Sequence, residues 1–425
     1  MFQKIARIFH IKDLRSKILF VLAILAVSRL IAAIPIPGID LSKLQAFFSS
    51  NQLFDMMNVF TGGTMSRMSI AMLGLGPYIT ATIILQLLTM ISPRLKEMYQ
   101  EAGEQGRERF NQYARIATVP LAMIQGFSFL KILRGQGIIP VLSPIETIGN
   151  IIIITAGAIL LMWLGELITQ KGIGNGVSLL IFAGIVDRVP SQIGQTVSTW
   201  DPTKVFSYIM FLVTALIVIS AVVFITEGQK NIPISYAKRI RGHKMYGGAS
   251  TFLPLRINQA GVIPIIFAIS IMLMPGLVAT FFSHSTIPVL ASFATKLNSI
   301  FQNQLFYIIV YFVLVVAFTY FYTAVTFDPK NVSENLQKSG GFIPGIRPGQ
   351  NTSQYISYII NRITLIGAVF LGFIAVLPMI VQKLTGVVSF EFLIGGTALL
   401  IVVSVVLETI KQINAQLVMR DYESF

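Results

Sequence analysis

Ten apolar stretches, each near the roughly 20 residues needed to cross a bilayer, recur along this 425-residue chain, and no other feature constrains its fold as much. They cover 18–34, 68–91, 113–133, 148–168, 174–189, 205–225, 260–282, 305–326, 363–380 and 392–410. Hydrophobic residues make up 54% of the chain and charged residues 12%, against about 25% charge in a soluble domain. The sequence is that of a polytopic membrane protein.

Ten spans put the two termini on one side. With that side cytoplasmic, 23 Lys and Arg fall inside and 8 outside, and Arg29 lies within the first span. The positive-inside rule then predicts cytoplasmic termini, and it accounts for the net charge of +14 without direct nucleic-acid recognition. Residues 1–17 space Phe2, Ile5, Ile8, Phe9 and Ile11 among basic residues, as in an amphipathic interfacial helix. The apolar run that follows ends at IPIPGID without a small-x-small cleavage site, so it reads as a retained span rather than a removed signal.

Two stretches interrupt this pattern in corresponding ways. Residues 74–90 open with Gly74-Leu-Gly-Pro77, and residues 261–275 open with Gly261-Val-Ile-Pro264. Proline lacks a backbone donor and crowds the preceding turn, so a helix should break near each. Broken helices inside a bilayer belong where freed backbone faces protein or a cavity, and matching breaks in two halves of a chain point to its functional centre. The polar residues here are neutral: Thr80, Thr82 and Gln86 in the first stretch, Asn258 and Gln259 just before the second. Leu75, Ile79 and Ile83 recur at i, i+4 and i+8. That spacing fits helix packing or lipid contact, and equally a hydrophobic constriction that blocks ions by dewetting.

Ionisable residues inside the spans are few. Arg29 lies roughly 8 Å from the end of its span at 1.5 Å per residue, close enough to snorkel outward. Glu166 and Glu408 sit near the cytoplasmic ends of theirs. An ion-coupled transporter would want a carboxylate in mid-membrane, and none is present. The chain has no cysteine, and its three histidines (His10, His243, His284) have no metal spacing. It lacks a Walker motif, an HExxH and paired intramembrane acids, so no catalytic residue, metal or cofactor is expected and the chain does not read as an enzyme. KGIGNGVS imitates a phosphate loop, but no strand precedes it.

The loops carry the remaining signals. The long outer loop runs into DMMNVFTGGTMSRMS, a short apolar helix that Gly62-Gly63 should end. Inside, 92–115 alternates acids and bases as a solvated helical face does. Residues 227–258 hold two β-compatible runs, NIPISYAK and STFLPLRIN, around the basic turn RIRGHKMYGG. Residues 327–361 include SGGFIPGIRPGQ, whose glycines and prolines make successive turns that display Arg347. Loops this long are usually functional or disordered. Both read as docking surfaces.

Four motifs carry a resemblance: FTGGTMSRMSIAMLGLGPYITATIILQLL, LMWLGELITQKGIGNGVSLLIFAGIV, PLRINQAGVIPIIFA and GGFIPGIRPGQ. They resemble the SecY/Sec61-alpha family of protein-conducting channel subunits over essentially the whole chain. The resemblance implies an all-α polytopic membrane protein. Its ten transmembrane helices would form two inverted-topology halves (18–203 and 204–411) around an hourglass pore with a lateral gate, followed by a cytoplasmic tail (412–425). It places the pore ring at Leu75, Ile79, Val177, Ile181, Ile266 and Ile401, all aliphatic. The lateral gate falls at Gln86, Asn258, Pro77 and Pro264. The plug, about 55–68, takes in Asp55, Met56, Met57, Asn58, Phe60, Thr61, Gly62 and Gly63. Motor or ribosome docking falls at Arg347, Arg241 and Lys244. The implied partners are SecE-like and SecG-like small membrane subunits, a SecA motor ATPase, the ribosome, signal sequences, unfolded polypeptides and lipid, in a bacterial plasma membrane. The chain stops at YESF, without the longer basic tail of some members. The alternative function is a secondary solute transporter with inverted repeats.

Overall fold

The computed structural model describes residues 11–36, 43–44, 58, 61–100, 103–140, 143–198, 202–236, 239–241, 244–246, 250–283, 292–293, 296–297, 299–300, 303–385 and 396–423. The chain divides into two compact units. One comprises Met1–Pro202, Ser270–Gln304 and Ile401–Phe425; the other comprises Thr203–Ile269 and Leu305–Leu400.

In the first unit, α1 (Lys12–Ala33) ends where Ile34 turns extended ahead of Pro35. The chain is then stapled to a later segment. Ile36 N–H donates to the Met68 carbonyl at 2.9 Å, and Ile70 N–H donates to that of Ile34 at 3.0 Å. Residues 61–75 form a run of tight turns rather than a helix, and α2 (Gly76–Ile91) begins only at their end. The span expected over 68–91 is therefore helical in its later part alone, because glycines at 74 and 76 and Pro77 disfavour helix ahead of them. At Ser92 the chain bends by 117° into α3 (Pro93–Gln100). Helix α4 (Gly103–Gly135) packs on α2, α3 and α5. It continues through Pro120, as membrane helices can when neighbours re-satisfy the freed carbonyl. Helix α5 (Pro144–Lys171) opens with a capping box in which Glu146 N–H donates to Ser143 Oγ and Ser143 N–H donates to Glu146 Oε2. Helix α6 (Gly176–Ser198) packs on α5 and α1.

The turn-rich segment is part of this unit's core. Met65, Met68, Met72 and Leu73 cluster with Phe129 and Leu133 of α4 and Ile154 of α5. The fit depends on a glycine: a Cβ on Gly157 would lie 2.0 Å from the Ile70 carbonyl oxygen.

The second unit holds α7 (Val205–Glu227) and a small sheet. Strand β1 (Gln229–Tyr236) pairs antiparallel with β4 (Ser250–Arg256), from Gln229 opposite Arg256 to Ser235 opposite Ser250. Between them β2 (Arg239–Arg241) and β3 (Lys244–Tyr246) make a hairpin out of the stretch read from sequence as a basic turn. Helix α8 (Ile263–Ser283) follows and then α9 (Gln304–Thr326). Helix α10 (Pro329–Lys338) starts under an Asp328 cap, whose Oδ1 accepts the Lys330 N–H at 2.9 Å. The two-residue β5 (Gly341–Phe342) joins the free edge of β1. Helices α11 (Gln350–Thr385) and α12 (Gly396–Glu423) complete the chain; α8 from Ser270 on and α12 from Ile401 on belong to the first unit.

The two long loops thus form one module rather than two independent tethers. Ile232, Ile234 and Leu255 of the sheet share a core with Leu336, Ile343, Ile356 and Ile360. Sequence reading found both pairing strands of the first loop but missed the helix and strand of the second. Val332 and Leu336, one helical turn apart, were the available signal.

Among the described residues, seven helices are long and apolar enough to cross a membrane, or eight if the bent pair α2–α3 counts as one. Helix α6, 23 residues long, carries Asp187, Arg188 and Pro190 in its later half. The described apolar part of α8 reaches only from Ile263 to Met272. The architecture is an all-α polytopic membrane fold carrying a small β module.

Candidate functional site

Three helices start in the same way. Gly74 (φ +55°), Gly174 (φ +93°) and Gly261 (φ +62°) each adopt a left-handed conformation. In each case the first helical residue comes two positions later: Gly76, Gly176 and Ile263. Glycine enters that region at no steric cost, so each start is sharply defined. Pro77 and Pro264 both occupy the second helical position, where a missing N–H costs nothing. The likeness between α2 and α8 extends to hydrogen bonding, since Ile79 N–H donates to Leu75 O and Ile266 N–H donates to Val262 O.

The expected ring residues fall on these starts. Leu75 and Ile79 lie at the opening of α2, Val177 and Ile181 on the first turns of α6, and Ile266 on the first turn of α8. Ile401 lies near the start of α12. Leu75, Ile181 and Ile401 are buried; Ile79, Val177 and Ile266 are half-buried. Next to Ile266, Phe267 meets Phe318 and Tyr322 of α9 edge-on, with centroids 6.0 and 6.1 Å away.

Of the neutral polar residues, Thr80 and Thr82 are half-buried and donate to the Gly76 and Tyr78 carbonyls, whereas Gln86 and Asn258 are buried. Gln86 is 7% exposed and Asn258 is 6% exposed. Asn258 Nδ2 donates to the Gly261 carbonyl at 3.2 Å, bracing the turn into α8. Gln86 Oε1, Asn258 Oδ1 and Gln259 Oε1 have no hydrogen-bond partner.

Four of the expected plug residues are described. Asn58 accepts Gly63 N–H at its carbonyl and Ser66 N–H at Oδ1, and Thr61 Oγ1 donates to the same carbonyl. Gly62 and Gly63 both take positive φ. Gly62 packs so tightly on Gly184 of α6 that a Cβ would come within 2.5 Å of the Gly184 Cα. Asp55, Met56, Met57 and Phe60 lie outside the described residues. Arg29 corrects the snorkelling expectation. Its Nε and Nη1 are buried without hydrogen-bond partners, and Nη1 lies 2.8 Å from the Gly62 Cβ position. The guanidinium turns inward because two adjoining glycines leave room for it, with Asp187 as the nearby opposing charge.

Glu166 is resolved differently. Arg115 Nε of α4 donates to its Oε1 at 2.6 Å, which offsets the cost of placing a carboxylate near lipid. Sequence reading noted Glu166 but not its partner, which lies 51 residues away. In the second unit, Arg347 is exposed on the turn between β5 and α11. Its carbonyl accepts Thr352 Oγ1 at 3.0 Å, and Gly345 and Gly349 flank it with positive φ. Arg241 and Lys244 are opposed across the β2–β3 hairpin.

The SecY family profile matches residues 69–410. The chain is 43% identical to protein translocase subunit SecY of Streptomyces galbus, over the full length of both. It is 43% identical to that of Thermus thermophilus, covering 98% of this chain and 95% of the relative. With that of Mycobacterium bovis it shares 41% identity over 97% of each. The chain belongs to the SecY family.

Solved structures agree on the SecY-type fold. A structure described as a protein-conducting channel superposes with a TM-score of 0.65 at 20% identity, covering 93% of this chain and 91% of that one. A SecY structure concerned with how the plug domain stabilises the closed channel gives 0.63 at 21% identity, over the same shares. Sec61 from a canine ribosome–channel complex gives 0.62 at 19%, again over 93% and 91%.

Proposed function

We propose that this chain is the protein-conducting channel of a bacterial plasma-membrane translocase, with both termini cytoplasmic. It passes unfolded secretory polypeptides outward and releases transmembrane segments into lipid. The observation that carries this reading is the set of three glycine-started helices, α2, α6 and α8, whose opening turns bear aliphatic residues and no charge. Bulky aliphatic side chains exclude ions by dewetting and still part for a chain. Leu75, Ile79, Val177, Ile181, Ile266 and Ile401 form the ring in this proposal. Gln86, Asn258, Pro77 and Pro264 belong to the lateral gate. Residues 55–68 are the plug, with the Gly62–Gly184 contact seating its middle. The ten spans divide into inverted halves, 18–203 and 204–411.

The driving force comes from a partner. The module around β1, β4, β5 and α10 is a rigid platform for a SecA-type motor or a ribosome, with Arg347 at its exposed tip and Arg241 and Lys244 on the hairpin. SecE-like and SecG-like subunits cover faces in the membrane. A solute transporter is not favoured: Glu166, a carboxylate within a span, is paired with Arg115.

The test is export into proteoliposomes holding the full chain, its small subunits and its motor. Arg347→Glu is expected to abolish motor-driven export, because reversing an exposed charge at a charged interface costs several kcal/mol, while leaving insertion and thermal stability unchanged. Normal export by that variant contradicts the docking assignment.

A further inference from the structure

Three elements of the first unit meet at Arg29. The residue lies in the last turns of α1. Its Nη1 is 2.8 Å from the position a Cβ would take on Gly62, and 3.5 Å from the same position on Gly184. Gly62 belongs to the turn segment and Gly184 to α6, so the guanidinium ends where those two backbones touch. One residue on, Arg188 of α6 passes the turn with its aliphatic stem, its Cδ 3.5 Å from the Cβ position of Gly63.

This junction gives Arg29 room but no acceptor. The two glycines have no side chain to offer, and an arginine neighbour brings only donors. Nε and Nη1 are both buried without a hydrogen-bond partner, and Asp187, three residues beyond Gly184, bonds to neither. Arginine cannot escape by losing its proton. Turning the fork does not help either, because every one of its N–H groups is a donor. A buried cation is normally kept where partners replace the hydrogen bonds it had with water. Here the contact of Gly62 with Gly184 is made against that desolvation cost. The cost lasts only while the segment is seated: once Gly62 lifts from Gly184, water reaches Nε and Nη1.

We propose that Arg29 sets the ease of plug release: its guanidinium, buried without an acceptor where Gly62 meets Gly184, limits how firmly the plug seats and so how strong a signal segment must be to open the channel. The proposal rests on the reading of 55–68 as the plug. Close backbone approach holds the segment in place, and the dehydrated cation beside it keeps that hold reversible. A residue that merely packed the plug would loosen the seal when replaced. Removing the charge of Arg29 tightens it.

The experiment uses the full chain with its small subunits in planar bilayers, and with the motor added in proteoliposomes. Arg29→Met keeps an unbranched side chain of similar reach and removes the charge and the donors. Resting channel openings are expected to become about tenfold rarer, within the range by which an apolar side chain outdoes a poorly paired buried ion, and the melting temperature should rise. Export of a precursor whose signal-core leucines are replaced by serine should fall more than export of one with a strongly apolar core. Gly62→Val should raise resting openings, since its Cβ would lie 2.5 Å from the Gly184 Cα, and adding Arg29→Met to it should change nothing further. Openings in Arg29→Met as frequent as in the parent, or more frequent, overturn the proposal, as does a lowered melting temperature or an equal fall in the Gly62→Val background. Each of these results leaves the plug reading standing. If Gly62→Val opens no more often than the parent, the plug reading fails and the proposal fails with it. Arg29→Met alone decides the matter where Gly62→Val does not fold.

Discussion

The turn segment at 61–75 and the cytoplasmic module of the second unit are built on opposite terms. The module has a sheet, a capped helix and a continuous aliphatic core. The segment ahead of α2 has no regular structure, and left-handed glycines at 62, 63 and 74 set its path. Around it and along α2, polar atoms stay buried and unpaired, including Arg29 Nε, Ser69 Oγ and Gln86 Oε1. Among the described residues of the module, no such atom is left. Buried unpaired groups cost stability and are kept where they serve a function. The contrast separates a segment placed by tight turns and close backbone approach from a module built on a regular sheet.

If the segment at 61–75 is held by close backbone approach as well as by side-chain packing, its most sensitive point is Gly157. A Cβ there meets the Ile70 carbonyl oxygen at 2.0 Å, and neither backbone has room to retreat. Gly157→Leu is expected to destabilise the first unit by at least about 3 kcal/mol, read as a large fall in melting temperature in detergent. An unchanged melting temperature would show that the segment is free to shift. The module should respond in the ordinary way of a packed core. Ile356 is fully buried, and Ile356→Ala should cost about 2–5 kcal/mol. The expected signature is local: faster amide exchange in β1 and β5 and weaker motor binding, with ion tightness unchanged. Exchange that speeds up equally in α2 and α4 would erase the distinction between the two regions.

How much was legible in sequence followed from range. The breaks at Pro77 and Pro264 are local chemistry, and the helices start within a residue of where glycine and proline place them. The β1–β4 pairing joins neighbouring stretches and could be read from their β-compatible residues. Strand β5 could not, because a two-residue strand gains its identity from Tyr236 and Ser235, more than a hundred residues away. Arg29 was misjudged for a related reason. Distance to the membrane edge was computable, but the space opened by Gly62 and Gly184 was not. Tyr99 sat in a stretch whose charges read as a solvated face, whereas after the bend at Ser92 its ring meets that of Phe110 at 4.9 Å.

The central claim is that aliphatic side chains on glycine-started helices make the ion seal. Single-channel conductance across planar bilayers tests it most directly, comparing the parent chain with Ile79→Asn, Ile181→Asn, Ile266→Asn and Ile401→Asn. Each polar side chain should hydrate the constriction and raise resting ion conductance, with the folded fraction unchanged. Resting conductance equal to that of the parent in all four variants would contradict the ring.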